Sequence, residues 1–234
     1  MNDHQIVSHE EWIAARRRFL VKEKEFTRLR DQLSRERREL PWERVEKEYV
    51  FEGEKGPETL ADLFDGRAQL MVYHFMYDPN WDIGCKSCSF WADNFNGIIP
   101  HLNQRDISMV AVSRAPLPKL QAQARSLGWT FKWVSSSDTD FNFDYHVSFS
   151  PADFARGEAY YNYATQKPTR TELPGVSAFL RQDDQIFHTY SAFSRGIDML
   201  NTAYHYLDLA PRGRDEDALQ YPMEWVKHRF AYAR

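Results

Sequence analysis

Cysteine is almost absent from this chain: two residues in 234, Cys85 and Cys88. No apolar run approaches the length needed to cross a bilayer, so no membrane association is expected. A basic excess is missing too. The formal charge is -4, which argues against nucleic acid as a partner. The opening MNDHQIVSHEEW lacks a basic segment followed by an apolar one, the pattern of a secretory signal, so the expected localisation is cytoplasmic. In that reducing compartment a structural disulfide is not expected, and the cysteine pair reads as catalytic or metal-binding. There is no internal repeat and no low-complexity segment.

What is present is a core-forming composition. Apolar residues make up 42% and aromatic residues 15%, with 7 Trp, 12 Tyr and 16 Phe, so the expected core is rich in rings. The length fits one large domain, or one domain with appendages.

Three regions are expected: an N-terminal helical arm over 1–41, a central domain over 42–210 and a C-terminal extension over 211–234. In the arm, Ser8 and Glu11 have the spacing of a capping box, and Pro41 ends the helix. Trp12, Phe19, Phe26, Leu33 and Leu40 recur every seven residues on an otherwise charged rod. Such a stripe suits packing on the chain's own body or on a second subunit, and a homodimer is expected.

In the central domain, Trp42–Phe51 reads as one edge strand and Thr59–Phe64 as a helical turn. Ala68–Phe75 is too continuously apolar to be half exposed and reads as a buried strand. Cys88–Gln104 reads as one helix kinked at Pro100, and Ile107–Val112 as a second buried strand. A helix over Pro116–Leu127 closes at Gly128, and Phe131–Val134 is a short strand. The aromatic stretch 141–170 reads as an insertion. Val176–Arg181 and Ile186–Ser191 form a hairpin, followed by a helix over Ile197–Leu207. A βαβ unit joined to a ββα unit is the thioredoxin-like plan, an α/β fold with a central mixed sheet flanked by helices.

The pair sits at a strand-to-helix junction within LMVYHFMYDPNWDIGCKSCSFW, residues 70–91. A cysteine at a helix start meets unpaired N–H groups that favour thiolate, and the second thiol lies one turn on. Cys85 is therefore the expected nucleophile and Cys88 the resolving thiol, with Lys86 adding positive charge and Trp81 packing nearby. Arg114, at a strand end, could assist an anion or peroxide. Ser113, Ser135 and Asp140 read mainly as turn or capping residues. His74 reads as a core histidine with one hydrogen-bond partner, and His188 as a solvated edge residue.

Beyond the fold, the fragments LPWERVEKEYVFEG, LADLFDGRAQLMVYHFM, CKSCSFWADNFNG, DFNFDYHVSF and FSRGIDMLNTAYHYLDL resemble a bacterial family of uncharacterised thioredoxin-like proteins, taken as dithiol–disulfide oxidoreductases. The similarity runs over nearly the whole chain. It implies that Pro174, before the late hairpin, is a cis proline facing the cysteines and offering backbone groups to a thiol substrate. It implies thiol–disulfide exchange with no bound cofactor, a disulfide or peroxide as substrate and an external thiol reductant. A peroxidase acting at Cys85 is an alternative. Here the Pro-x-x-x-Thr-x-x-Cys signature of peroxiredoxins is broken, with Asp82 at the threonine position and Pro79 six residues before Cys85. Other readings are a binding module without redox turnover, or half a zinc site completed by histidines from His74, His146, His188 or His205.

Overall fold

A computed structural model describes residues 4–232. The chain divides after Pro41 into two compact units. The first is a single helix, α1 (His9–Arg38). Ser8 Oγ accepts from the Glu11 N–H, and the Glu11 carboxylate accepts from the Ser8 N–H at 2.9 Å, closing the capping box. Arg35, Arg37 and Arg38 occupy the last turn, where the helix dipole favours positive charge. Trp12, Phe19, Phe26 and Leu33 are exposed along it.

The second unit is built on an eight-stranded mixed sheet. Its elements in chain order are β1 (Glu43–Arg44), β2 (Val50–Gly53), β3 (Gly56–Thr59), a 3-10 turn (Asp62–Phe64), β4 (Gln69–His74), α2 (Lys86–Ala92), α3 (Phe95–Asn103), β5 (Ile107–Ser113), α4 (Leu117–Leu127) and β6 (Trp133–Ser135). There follow α5 (Phe141–Asp144), α6 (Pro151–Arg156), a separate ribbon of β7 (Ala159–Tyr161) and β8 (Ala164–Gln166), then β9 (Gly175–Gln182), β10 (Gln185–Phe193), a 3-10 stretch (Ser194–Leu200) and α7 (Thr202–Leu209). The sheet order is β1-β10-β9-β4-β5-β6-β2-β3. β4 pairs parallel to β5 and antiparallel to β9, and β5 pairs parallel to β6. This is the thioredoxin-like arrangement of a βαβ and a ββα unit sharing one sheet. β4 lies at its centre, which is why its sequence is apolar on both faces. The β9–β10 hairpin turns at Asp183 and Asp184, both at positive φ as a two-residue hairpin turn requires.

Three expected elements differ. The segment 42–51 is two short strands, not one. β1 pairs with β10, and β2 lies towards the opposite side of the sheet between β6 and β3. Lys47, in the crossing segment, is held by Asp140 and Asp144 at 2.9 and 2.7 Å. The helix expected from Cys88 to Gln104 is broken between α2 and α3. There the Asn94 amide reaches the Phe90 and Trp91 carbonyls and Asp93 accepts from Trp129 Nε1 at 2.8 Å, so side chains replace the helical ladder. The helix expected over Ile197–Leu207 starts only at Thr202, because Asn201 caps it by accepting from the Tyr204 N–H. Pro174 is a correction of another kind. Among the described residues there is no cis peptide bond; the chain enters β9 on a trans path, with the Pro174 carbonyl taken by the Tyr161 hydroxyl at 2.7 Å.

Candidate active site

The thiols stand where the loop after β4 turns into α2. Cys85 is the N-cap residue, and its N–H returns to the Met76 carbonyl at 3.0 Å. The loop before it is held by its own polar groups. Asn80 N–H donates to Asp78 Oδ1 at 2.8 Å, the Tyr77 hydroxyl to the Asp82 carbonyl at 3.0 Å, and Lys119 to the Pro79 and Trp81 carbonyls. Gly84 N–H donates to Gln123 Oε1 at 2.7 Å, and a Cβ at this position would lie 2.8 Å from both Gln123 Oε1 and Phe75 Cε1. Only glycine fits that approach.

The two thiols have opposite environments. Cys85 is partly accessible and Cys88 is buried. A hydrogen bond from the Cys88 thiol is the largest influence on Cys85. Together with the N–H groups of Cys88 and Ser87 and the charge of Arg170, it lowers the Cys85 thiol to about 6 against the opposing effect of burial. Burial, then the neighbouring Cys85, push Cys88 well above the usual thiol value. Cys85 is thus the thiolate at neutral pH and Cys88 the proton-bearing partner.

Both line a cavity of about 320 Å³. Its walls are mostly apolar: Tyr73, Met76, Trp91, Leu173, Ile197 and Met223, with Arg170 and Arg195 also facing it. One wall comes from the C-terminal extension through Tyr221, Pro222 and Met223. Glu216 fixes that wall, its Oε1 accepting from the Tyr204 hydroxyl, the Met223 N–H and Trp225 Nε1 at 2.7–2.9 Å. The His228 ring also bonds the Gly84 carbonyl at 3.0 Å.

The residues singled out from sequence separate here. Pro174 lines the cavity, but its carbonyl is already engaged by Tyr161. Lys86 lines it too, with its ammonium turned to the Glu224 carbonyl at 2.9 Å; the cation acting on Cys85 is Arg170. Trp81 packs, half-buried, on the aromatic core beneath the thiols and is not part of the cavity wall. Arg114 lies outside the cavity as well. It pairs with buried Glu172 at 2.9 Å and covers the Phe143 ring at 4.5 Å. Ser113 and Ser135 are buried and bond the Phe75 and Ala115 carbonyls. His74 is a core residue bonded to Ser177 at 2.8 Å. His188 is half-buried rather than solvated, because β1 covers the edge on which it lies. Among the described residues no three His, Cys, Asp or Glu side chains converge as a metal site, so the zinc reading gains no ligand set.

Sequence reasoning missed Tyr73 and Arg170. Tyr73 is fully buried against the thiols, with its hydroxyl beside the Cys88 thiol. Burial, then Cys88, hold this phenol well above its usual value, so it keeps its proton. Strand alternation could have found Tyr73, since it shares a face with Met71. Nothing in the sequence marks Arg170, which reaches the site from the loop before β9.

Solved structures similar to this chain include peroxidoxin BcpB from Mycobacterium tuberculosis, at 12% identity over 68% of this chain and 92% of that one, TM-score 0.46. Peroxiredoxin Q from Xanthomonas campestris matches at 13% identity over 68% and 89%, TM-score 0.46. A hypothetical protein from Sinorhizobium meliloti matches at 11% over 73% and 82%, TM-score 0.43. No curated protein matches the sequence. A family model described as bacterial protein of unknown function, DUF899, matches residues 1–232, and the chain belongs to that family.

Proposed function

We propose that this protein is a thiol–disulfide oxidoreductase working through Cys85 and Cys88. The observation that carries the reading is the opposed pair in one cavity: an accessible thiol held low beside a buried thiol held high. The Cys85 thiolate attacks one sulfur of a substrate disulfide, forming a mixed disulfide and expelling the other half as a thiol. Cys88 then gives up its proton and attacks Cys85 Sγ, releasing the second thiol and leaving a Cys85–Cys88 disulfide. An external thiol reductant, as a reducing cytoplasm supplies, restores the dithiol, and no bound cofactor takes part. The wall built by Tyr221–Met223 favours low-molecular-weight disulfides over protein disulfides. Tyr73 favours a second reaction at the same thiol. Its protonated hydroxyl, beside Cys88 in the same cavity, is placed to donate to the leaving oxygen of a peroxide attacked by Cys85, giving a sulfenic acid that Cys88 converts to the disulfide with loss of water.

The test compares reduction of bis(2-hydroxyethyl) disulfide, insulin and hydrogen peroxide by the wild type, Cys85→Ser and Cys88→Ser. Loss of turnover in Cys85→Ser and trapping of a mixed disulfide in Cys88→Ser are expected. No turnover of any substrate by the wild type would leave a thioredoxin-fold binding module. The exposed seven-residue stripe of α1 supports pairing with a second copy; a monomer by sedimentation at micromolar concentration would remove that part of the proposal. No helix among the described residues is long and apolar enough to cross a membrane.

A further inference from the structure

On the sheet face opposite the thiols lies a larger cavity of about 520 Å³. It contains Glu43, His188 and Ser191 side by side. Ser191 Oγ is 2.7 Å from His188 Nε2, and Glu43 Oε2 is 3.4 Å from His188 Nδ1. Strand geometry alone would not bring these together, because residues three apart on a strand face opposite ways. The register of β10 against β9 shifts between His188 and Tyr190, leaving Thr189 as an extra residue. His188 therefore pairs with Phe179 and Ser191 with Ser177, two positions apart on β9 and so on one face. Bulges of this kind re-aim side chains. β1 adds the carboxylate, since Glu43 pairs directly with His188.

The hydrogen bonds also select a tautomer. A carboxylate at Nδ1 keeps the proton there and leaves Nε2 to accept from the Ser191 hydroxyl. Behind Ser191 the chain continues to Ser177 Oγ at 2.8 Å and to His74 Nε2 at 2.8 Å. His74 donating from Nε2, Ser177 donating to Ser191 and Ser191 donating to His188 is one consistent direction. It leaves His74 Nδ1, which has no partner among the described residues, as a bare acceptor rather than an orphaned donor.

We infer that Ser191, His188 and Glu43 form a nucleophile, base and orienting carboxylate for hydrolysis of a small carboxylic ester in this second cavity. Ser191 Oγ attacks the carbonyl carbon while its proton passes to His188 Nε2. The bond to the alkoxy group breaks, and His188 returns the proton to the departing alcohol. Water then attacks the acyl-serine, again losing a proton through His188, and frees the carboxylic acid and Ser191. Asn162 lines the cavity with no side-chain hydrogen bond among the described residues, and is its free donor to the developing oxyanion. The rings of Tyr145, Tyr160 and Tyr163 suit an aryl or short acyl group. Ser191 and His188 are the catalytic residues, and Glu43 is a positioning residue.

The test treats the full chain with a fluorophosphonate and locates the adduct by peptide mass spectrometry. A single adduct on Ser191 is expected, formed about 10²- to 10⁴-fold more slowly in His188→Ala. Hydrolysis of 4-nitrophenyl butyrate is measured in a Cys85→Ser, Cys88→Ser background, where thiol acylation cannot contribute. There Glu43→Gln should lower kcat with KM unchanged. No adduct on Ser191 in the wild type overturns the inference, and so does labelling that is equally fast in folded His188→Ala.

Discussion

Tyr73 and His74 are neighbours in β4 and point to opposite faces of one sheet. Each is buried, the Tyr73 hydroxyl beside the Cys88 thiol and His74 Nδ1 with no partner among the described residues. Burial keeps both uncharged, pushing the phenol well up and the imidazole down to about 3. The two faces then diverge. On the Tyr73 face the Cys88 thiol, the N–H groups at a helix start and, last, an arginine support a localised negative charge on Cys85. On the His74 face a chain of hydroxyls leads to a histidine nearer the surface. One β-strand thus backs a thiol pair on one side and a hydrogen-bonded hydroxyl–histidine chain on the other, because alternation sends consecutive side chains into separate cores.

The sharpest break of this contrast is selective alkylation. At pH 7 Cys85 should be mostly thiolate and Cys88 protonated and buried. Iodoacetamide should therefore modify Cys85 at least roughly a hundredfold faster, read by peptide mass spectrometry. Equal labelling would mean that the two thiols do not have the opposed environments described.

Next comes the pH dependence of stability, where buried groups act in opposite directions. Glu172 is raised to about 7, mainly by burial, against a usual 4.5. The folded state therefore binds the extra proton, and this group's contribution increases stability as pH falls from about 7 to about 4.5, by roughly 3 kcal/mol at most. His74 is lowered to about 3 from 6.5, so it removes stability as pH falls from about 6.5 towards 3, by a few kcal/mol. Between pH 6.5 and 4.5 the two offset each other, and below 4.5 only the loss remains. Urea denaturation of Glu172→Gln, which keeps an acceptor for Ser148, should expose the His74 loss already between pH 6.5 and 4.5. An unchanged profile would show that Glu172 is not held in its neutral form.

A smaller effect, about 1–3 kcal/mol, is expected for Gly84→Ala. The added methyl meets Gln123 and Phe75, so the loop entering α2 must shift. Thermal unfolding would show the loss, and slower Cys85 alkylation would show that this close approach positions the thiol.

The central strands, the hairpin and the thiol pair were legible because each is local: an apolar run, a turn dipeptide, two cysteines one helical turn apart. The helix breaks at Asn94 and Asn201 were not, since an apolar period continues across both and only the side-chain caps end the helices. The splitting of 42–51 was hidden for another reason. Two strands in one alternating segment join different sides of a sheet, and partner choice is non-local. The site's walls were hidden likewise. Tyr221–Met223 and Arg170 arrive from irregular segments far along the chain, and Arg114, plausible at a strand end, is drawn away by Glu172. The bulge at Thr189 leaves no mark in composition, yet it decides which residues share the second cavity.

The smallest expected effect concerns Arg170. Its charge is the last of the influences lowering Cys85, behind the Cys88 thiol and two N–H groups. Arg170→Gln should therefore raise the midpoint of Cys85 alkylation only modestly, slowing the reaction about two- to fivefold at pH 6 and little at pH 8. Salt distinguishes this from a steric effect. Added sodium chloride should slow wild-type alkylation at pH 6 towards the variant's rate and leave the variant almost unchanged, because screening acts on the arginine charge far more than on short hydrogen bonds. A variant slowed equally at both pH values would instead assign Arg170 to the shape of the cavity, leaving hydrogen bonding alone to hold the thiolate.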